Sequence, residues 1–392
     1  MSKKNIPLSI PNFMGNEKKY VDEAVEQGWV STGGAFIKEF ENKLGTYLNT
    51  EGVAACQSGT SALHLSLISA GVKERDVVLV SPLTFIAAVN PIKYLLAEPV
   101  FIDCDDSLCI DPQKVKEFCE NKCTFIDGAL FFNDKHVKAI VVVHVFGNMA
   151  DMESLNSIAK QYNLKIVEDA TEALGTKYIT GQYSGKYAGT IGDYGAYSFN
   201  GNKIITTGGG GAVTAKSSQT VDHLRYLSTQ AKDDPKFYVH NEVGFNYRMT
   251  NIQAALGVAQ MEELEDFVRI KNRNYNSYCA CFKDFKYAEI LPFREGIESN
   301  RWFYSLLVNI DVMDASLRDI IYSLEEEGIQ TRAIWGLINE QNPYKECETY
   351  KLDKAPYYAA RIINLPCSTS LKEDEVEYVS EIVMNVLGRY AS

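Results

Sequence analysis

The residues best suited to covalent chemistry lie in residues 194–214, YGAYSFNGNKIITTGGGGAVT. A short apolar and aromatic run, Tyr194, Ala196, Tyr197 and Phe199, predicts a strand. It delivers Ser198, then Asn200 and Asn202, then a single lysine, Lys203. Thr206, Thr207 and four glycines, Gly208 to Gly211, precede a second apolar run. A lysine on a tight turn beside hydroxyls and a glycine-rich loop suits a carbonyl trap, because primary amines condense with aldehydes. Read alone, the stretch is equally a surface hairpin carrying an exposed lysine. The residues at the carboxyl ends of the other predicted strands decide between the two.

After VAAC come Ser58, Gly59, Thr60 and Ser61, opening a helix. Free N–H groups, the positive helix end and hydroxyls make a phosphate cradle there, though a plain helix cap has the same residues. After VVLVSP comes Phe85, which can lie flat on a planar ring or fill the core. After LKIV come Glu168, Asp169 and Glu172. Carboxylates at the end of a buried strand are costly unless something cationic meets them. A pyridinium nitrogen suits Asp169. Glu172 is placed to reach the ring's phenolic oxygen side, or is simply an acid at a helix N-terminus. Cradle, aromatic, acid and lysine together describe a site for pyridoxal 5′-phosphate, an aldehyde whose protonated ring is an electron sink. The first turn, SGTSAL, lacks the GxGxxG of a dinucleotide site. Five unclustered histidines give no metal site.

These residues need a scaffold that brings strand ends together. From residue 53 the chain alternates strand and helix, which predicts an α/β fold with a mainly parallel sheet covered by helices on both faces. Ligands bind such sheets at the strands' carboxyl ends. Residues 118–136 interrupt the alternation and read as a hairpin excursion outside the main sheet, turning at Asp127-Gly128 and Asn133-Asp134. Thr250 and Gln253 form a capping box opening one long helix, or two in series, to about Phe282. Ser370 and Glu373 read as a second capping box before the last helix. The pattern past the long helix is α+β, so the expected units are 1–260, the large domain with its N-terminal segment, and 261–392, a smaller C-terminal domain.

With 392 residues and a net charge of -12, the chain is a poor match for nucleic acid or an anionic membrane surface. The start, MSKKNIPLSIPNF, has no long apolar region of a signal peptide, and no run approaches membrane-spanning length. Nine cysteines without a CxxC pair predict a reduced, cytoplasmic protein.

The stretches GWVSTGG, SGTSALHLSL, SPLTFIAAVNPI, EPVFIDCD, VHVFGNMADM, IVEDATEALG, GDYGAYSFNGNKIITTGGGGAV, GFNYRMTNIQAALG and NLPCSTSL carry a resemblance across nearly the whole chain. Together they resemble the sugar-nucleotide aminotransferases of fold type I, nearest to the branch of bacillosamine and legionaminic acid pathways. The resemblance implies a mainly parallel seven-stranded sheet and a C-terminal α+β domain. It implies that Lys203 is the Schiff-base lysine and proton shuttle, and that Asp169 pairs with the pyridine nitrogen. Phe85 would stack on the ring, and Glu172 would stand near the ring oxygen, where many members carry Gln or His. Gly59, Thr60, Ser61 and Ser198 would hold the phosphate. Asn246 would reach the phosphate of a neighbouring subunit, making a homodimer with shared sites. Thr32 and Asn90 are implied substrate contacts. The implied reaction moves an amino group from L-glutamate to a UDP- or GDP-linked 4-keto-6-deoxy sugar in cell-surface polysaccharide synthesis. A 3-keto-sugar or perosamine-type aminotransferase, or a non-catalytic relative, is the alternative. Near TRAIWGLINEQ, Ala333 and Asn339 replace a proline and a histidine of many relatives.

Overall fold

In a computed structural model, which describes residues 4–391, strands of the main sheet lie in the order Val53–Cys56, Gly211–Ala215, Tyr194–Ser198, Lys165–Asp169, Lys135–Val143, Val77–Val80, Glu98–Ile102. Gly211–Ala215 runs antiparallel to both neighbours. The other adjacent pairs are parallel. The Val53–Cys56 strand therefore points the same way as the parallel set, and its carboxyl end joins theirs along one edge. Val77–Val80 and Gly211–Ala215 are buried at every residue, as expected when both faces are covered.

The excursion differs from the sequence expectation. Its first residues belong to a helix, Pro112–Lys122. The hairpins then form at the two expected turns, where Asp127, Gly128, Asn133 and Asp134 all take positive φ, as two-residue turns matching strand twist require. Ala129–Phe132 pairs with the start of Lys135–Val143, so the hairpin extends the main sheet. The nine-residue Lys135–Val143 strand is long enough to serve both pairings, which hydrophobicity alone did not show.

One helix, Asn251–Phe282, is the spine, opened by the Thr250–Gln253 capping box. Glu17–Glu26, Ala35–Leu48 and the last helix, Glu373–Tyr390, pack on it. The last helix starts with Lys372, whose N–H donates to Glu375 Oε2, and not with the Ser370–Glu373 pair. A second, antiparallel sheet orders Ala288–Ile290, Tyr304–Val308, Ile362–Leu365 and Arg332–Ala333. The short Thr349–Tyr350 strand returns to pair with Glu98–Ile102 at the edge of the main sheet. The N-terminal segment runs beside the second sheet: Ile6 bonds Gly328 and Gln330, and Leu8 O accepts the Cys367 N–H.

The strand ends are fixed by buried polar groups. Glu168 is fully buried and accepts from His144 Nε2 at 2.8 Å and from the N–H groups of Gly189, Ile191 and Gly192. The Ala150 N–H donates to His144 Nδ1, which leaves Nε2 as the protonated nitrogen. Removing a carboxylate that satisfies four buried donors strands all of them. Glu168→Ala should cost about 3–5 kcal/mol in urea denaturation, and Glu168→Gln less, because it keeps one acceptor oxygen. A loss below about 1 kcal/mol for the alanine variant would contradict this role.

Candidate active site

The aligned strand ends open on a cavity of about 580 Å³. Gly59, Thr60, Phe85, Asp169, Glu172, Ser198 and Lys203 line it. Residues drawn from four separate stretches of the sequence therefore converge on one space.

Each is set by its local chain. Ser58 caps the Gly59–Ser69 helix by accepting the Ser61 N–H at 3.0 Å, and Ser61 Oγ lies 2.8 Å from Ser58 Oγ. Ser61 stands behind the cap and is not among the residues lining the cavity. At Gly59, a Cβ would sit 2.8 Å from Ser198 Cβ and 3.0 Å from Thr171 Cγ2. Only glycine leaves that space open at the helix's positive end. The Lys203 turn is held by its own N–H on Asn200 O and by Trp302 Nε1–H on Asn202 O at 2.7 Å. Lys203 Nζ lies 3.5 Å from Glu172 Oε1 and 4.0 Å from the Trp302 ring centroid.

Asp169 is 4% exposed, and its Oδ1 accepts the Thr171 N–H at 3.1 Å. Burial pushes its carboxyl up, against the pull of the Thr171 hydrogen bonds and the Lys203 charge. A buried carboxylate with so few donors, facing a cavity, fits a cationic N–H such as a pyridinium. Glu172 is 5% exposed; its Oε2 accepts the Phe146 N–H at 2.8 Å. Burial pushes it up to about 7, with Lys203 and the Phe146 N–H pulling the other way. Asn300 Nδ2 donates to Glu172 O and Leu174 O, each at 2.9 Å, and its Oδ1 accepts the Trp302 N–H. Gly147, at φ +88°, passes so close that a Cβ would overlap Asn300 Oδ1. The acid turn and the indole beside Lys203 are thereby tied together.

Phe85 is 54% exposed, an unusual state for phenylalanine and one that suits stacking on a planar ring. The open cradle at Gly59, the under-donated acid and the lysine fit pyridoxal phosphate in its three recognition needs.

Thr32, Asn90 and Asn246 are not among the lining residues. Thr32 is exposed in the loop between the first two helices. Asn90 Oδ1 accepts from Tyr344 OH at 2.5 Å. Asn246 is exposed, and its carbonyl accepts from Gln57 Nε2. Ala333 does line the cavity, while Asn339 does not and has a buried Oδ1 without a partner among the described residues. The sequence reading missed Trp302, Trp335, Arg332, Asn364 and Leu8, all of which line it. The tryptophans, rare in this chain, were the available signal. Nothing local says that their segments fold over the strand ends.

Fold and site together define a fold type I pyridoxal-phosphate aminotransferase. The chain belongs to the DegT/DnrJ/EryC1/StrS aminotransferase family, whose model matches residues 12–384. It is 35% identical to a GDP-perosamine synthase of Escherichia coli O157:H7 over 390 residues, covering 97% of this chain and 98% of that one. It is 27% identical to the UDP-4-amino-4,6-dideoxy-N-acetyl-beta-L-altrosamine transaminase of Campylobacter jejuni strain 81-176, covering 91% of each. Among solved structures, Helicobacter pylori PseC, an aminotransferase involved in the biosynthesis of pseudoaminic acid, superposes with a TM-score of 0.88 at 25% identity, covering 99% and 100% of the two chains. Spr1654 of Streptococcus pneumoniae, in its PLP-form, gives 0.87 at 25% identity, covering 99% and 100%. Pyridoxal phosphate is the cofactor. No helix among the described residues is long and apolar enough to cross a membrane.

The Glu172 shift makes a pH prediction. Its folded pKa of about 7 lies above the ordinary 4.5, so the folded state binds more protons between those values. Stability is lost as pH rises through that window, and Glu172→Gln escapes the loss. In the cofactor-free protein, the stability of Glu172→Gln relative to the parent should grow by at most about 3 kcal/mol between about pH 5 and about pH 8. A difference that is flat with pH would contradict the assignment.

Proposed function

We propose that the protein transfers the amino group of L-glutamate to a nucleotide-linked 4-keto-6-deoxy sugar, giving a 4-amino sugar nucleotide. The observation that carries the reading is Lys203 in one cavity with the buried, under-donated Asp169. Residues to hold the cofactor are Gly59, Thr60 and Ser198 for its phosphate, Asp169 for the ring nitrogen, Phe85 for the ring face and Glu172 for the ring-oxygen side. When bound, pyridoxal phosphate supplies the electron sink that makes an amino acid's α-proton removable.

The chain's own residues do the rest. Lys203 Nζ, once free, is the base that takes the α-proton and the acid that gives it back. Glu172 Oε1 at 3.5 Å offsets the charge on that nitrogen. The Trp302 ring, its centroid 4.0 Å from Nζ, gives that nitrogen an aromatic neighbour. Asp169 would pair with the cofactor's ring nitrogen and favour its protonated form.

The names of the relatives support a nucleotide sugar as acceptor. Three GDP-perosamine synthases, at 32 to 35% identity, support GDP and a perosamine-type product. The UDP-linked bacillosamine or legionaminic acid type rests on the sequence resemblance. The proposed assembly is a homodimer with shared sites. Exposed Phe237, Tyr238 and Val243, on the segment leading to Asn246, support it.

Lys203→Ala should fold and bind the cofactor but lose turnover by at least about 10³-fold, read by amino-sugar formation beside a thermal melt. Residual transamination within about tenfold of the parent would refute the lysine's role. For the nucleotide, GDP should raise the melting temperature more than UDP at equal concentration. The reverse order would move the acceptor to the UDP-linked type.

A further inference from the structure

Resting on that reading, we propose that Lys271 is a positioning residue for Lys203. Its buried ammonium fixes the Trp302 indole, and the indole holds the reactive amine where it captures the cofactor's aldehyde. Lysine is seldom fully buried without an acid partner. Lys271 is 3% exposed, and among the described residues it makes no ion pair. Burial lowers its pKa, with the Cys367 group acting the other way. A buried cation of this kind is costly, and the groups it holds lie at the cavity wall.

The Lys271 ammonium donates to two carbonyl oxygens, those of Trp302 at 2.8 Å and of Cys367. Strands Tyr304–Val308 and Ile362–Leu365 pair antiparallel with Tyr304 opposite Leu365, so Trp302 and Cys367 fall at matching positions just past the end of the ladder. Pro366, which has no N–H, cannot extend that ladder. Lys271, from the spine helix, takes up both loose carbonyls.

Each of the two segments fixes a cavity residue. The Cys367 N–H donates to Leu8 O at 2.7 Å, and Leu8 lines the cavity. Trp302 reaches the Lys203 turn at two points: its Nε1–H donates to Asn202 O at 2.7 Å, and its ring centroid lies 4.0 Å from Lys203 Nζ. Behind the turn, a separate space of about 10 Å³ is bordered by Lys203, Ile204, Thr206 and Lys271. The turn is therefore not close-packed from behind, and the indole in front is the contact that sets it. Capture of an aldehyde needs the amine in line with the carbonyl carbon, and a misplacement of about 1 Å lowers such rates by up to about 10²-fold.

The competing account makes Lys271 a general structural support. Its loss would then loosen the whole site. The positioning account is narrower: Gly59, Phe85 and Asp169 stand on the main sheet, and the Lys271 hydrogen bonds go to none of them.

The test uses the full-length protein freed of cofactor and two probes. Pyridoxal phosphate reads the amine, by the rate at which the yellow band forms. Its 4′-deoxy analogue, which lacks the aldehyde, reads the cradle and ring site alone, by calorimetry. Lys271→Met should slow band formation by about tenfold and leave affinity for the analogue within about twofold. Lys271→Arg should recover part of the rate. Trp302→Leu should show the same slowing, and the double variant should be no slower than Trp302→Leu alone, because the two residues act in one chain of contacts. Lys271→Gln, with the same expected direction, stands in if a thermal melt shows the methionine variant unfolded. An unchanged rate in the Lys271 variant would overturn the proposal. So would an equal loss of analogue affinity, which would make the lysine a structural support, or a double variant slowed by the product of the two single effects. A parent protein that binds the analogue but forms no yellow band would overturn instead the functional reading beneath it.

Discussion

The constraint on which the site depends is the burial of acid at the end of a parallel strand. Lys165–Asp169 runs through the middle of the sheet and ends in two buried carboxylates, of which only Asp169 borders the cavity. Glu168 is satisfied inside the protein by a histidine and three backbone N–H groups. Asp169 and Glu172 are not satisfied to the same degree. Their charge is tolerable only if a cation joins them; the protein supplies Lys203 beside Glu172, and the proposed cofactor would supply a protonated ring to Asp169. Adjacent carboxylates on one strand thus divide into a structural one and one left open for chemistry.

The cavity is built by two parts of the chain. The main sheet supplies cradle, acids and lysine. The segment before Tyr304–Val308 supplies Trp302, whose indole touches Lys203 and the carbonyl before it. Its backbone is gripped by Asn300 Oδ1 on one side and by the buried Lys271 ammonium on its carbonyl, at 2.8 Å. Lys271 belongs to the spine helix, so the position of the indole is set by the longest element in the fold. Leu8, on the N-terminal segment laid along the second sheet, closes the same wall. A site assembled this way forms only once distant parts of the chain have docked.

The convergence of Gly59, Thr60, Phe85, Asp169, Glu172, Ser198 and Lys203 on one cavity was legible in the sequence because these residues sit next to the strands that place them. Each comes just after an apolar run, so the strand–helix alternation fixed both their direction and their edge. The hairpin of residues 118–136 was readable as turns, since Asp-Gly and Asn-Asp take positive φ readily, but its pairing partner was not. The rest of the cavity wall was least legible. Arg332, Trp335 and Asn364 lie on short strands or loops whose contacts are long-range, and no local periodicity announces which way they face. Thr32, Asn90 and Asn246 stand outside the cavity of a single chain, and their proposed roles depend on a second subunit or on substrate.

The most direct test of the central claim is the near-visible absorption of the purified protein before and after L-glutamate. Lysine-bound pyridoxal phosphate gives a yellow band, and a working Lys203 should let glutamate bleach it, with a nucleotide-linked keto-sugar restoring the colour. A protein that stays colourless after incubation with pyridoxal phosphate, or a band that no amino acid bleaches, would contradict the account.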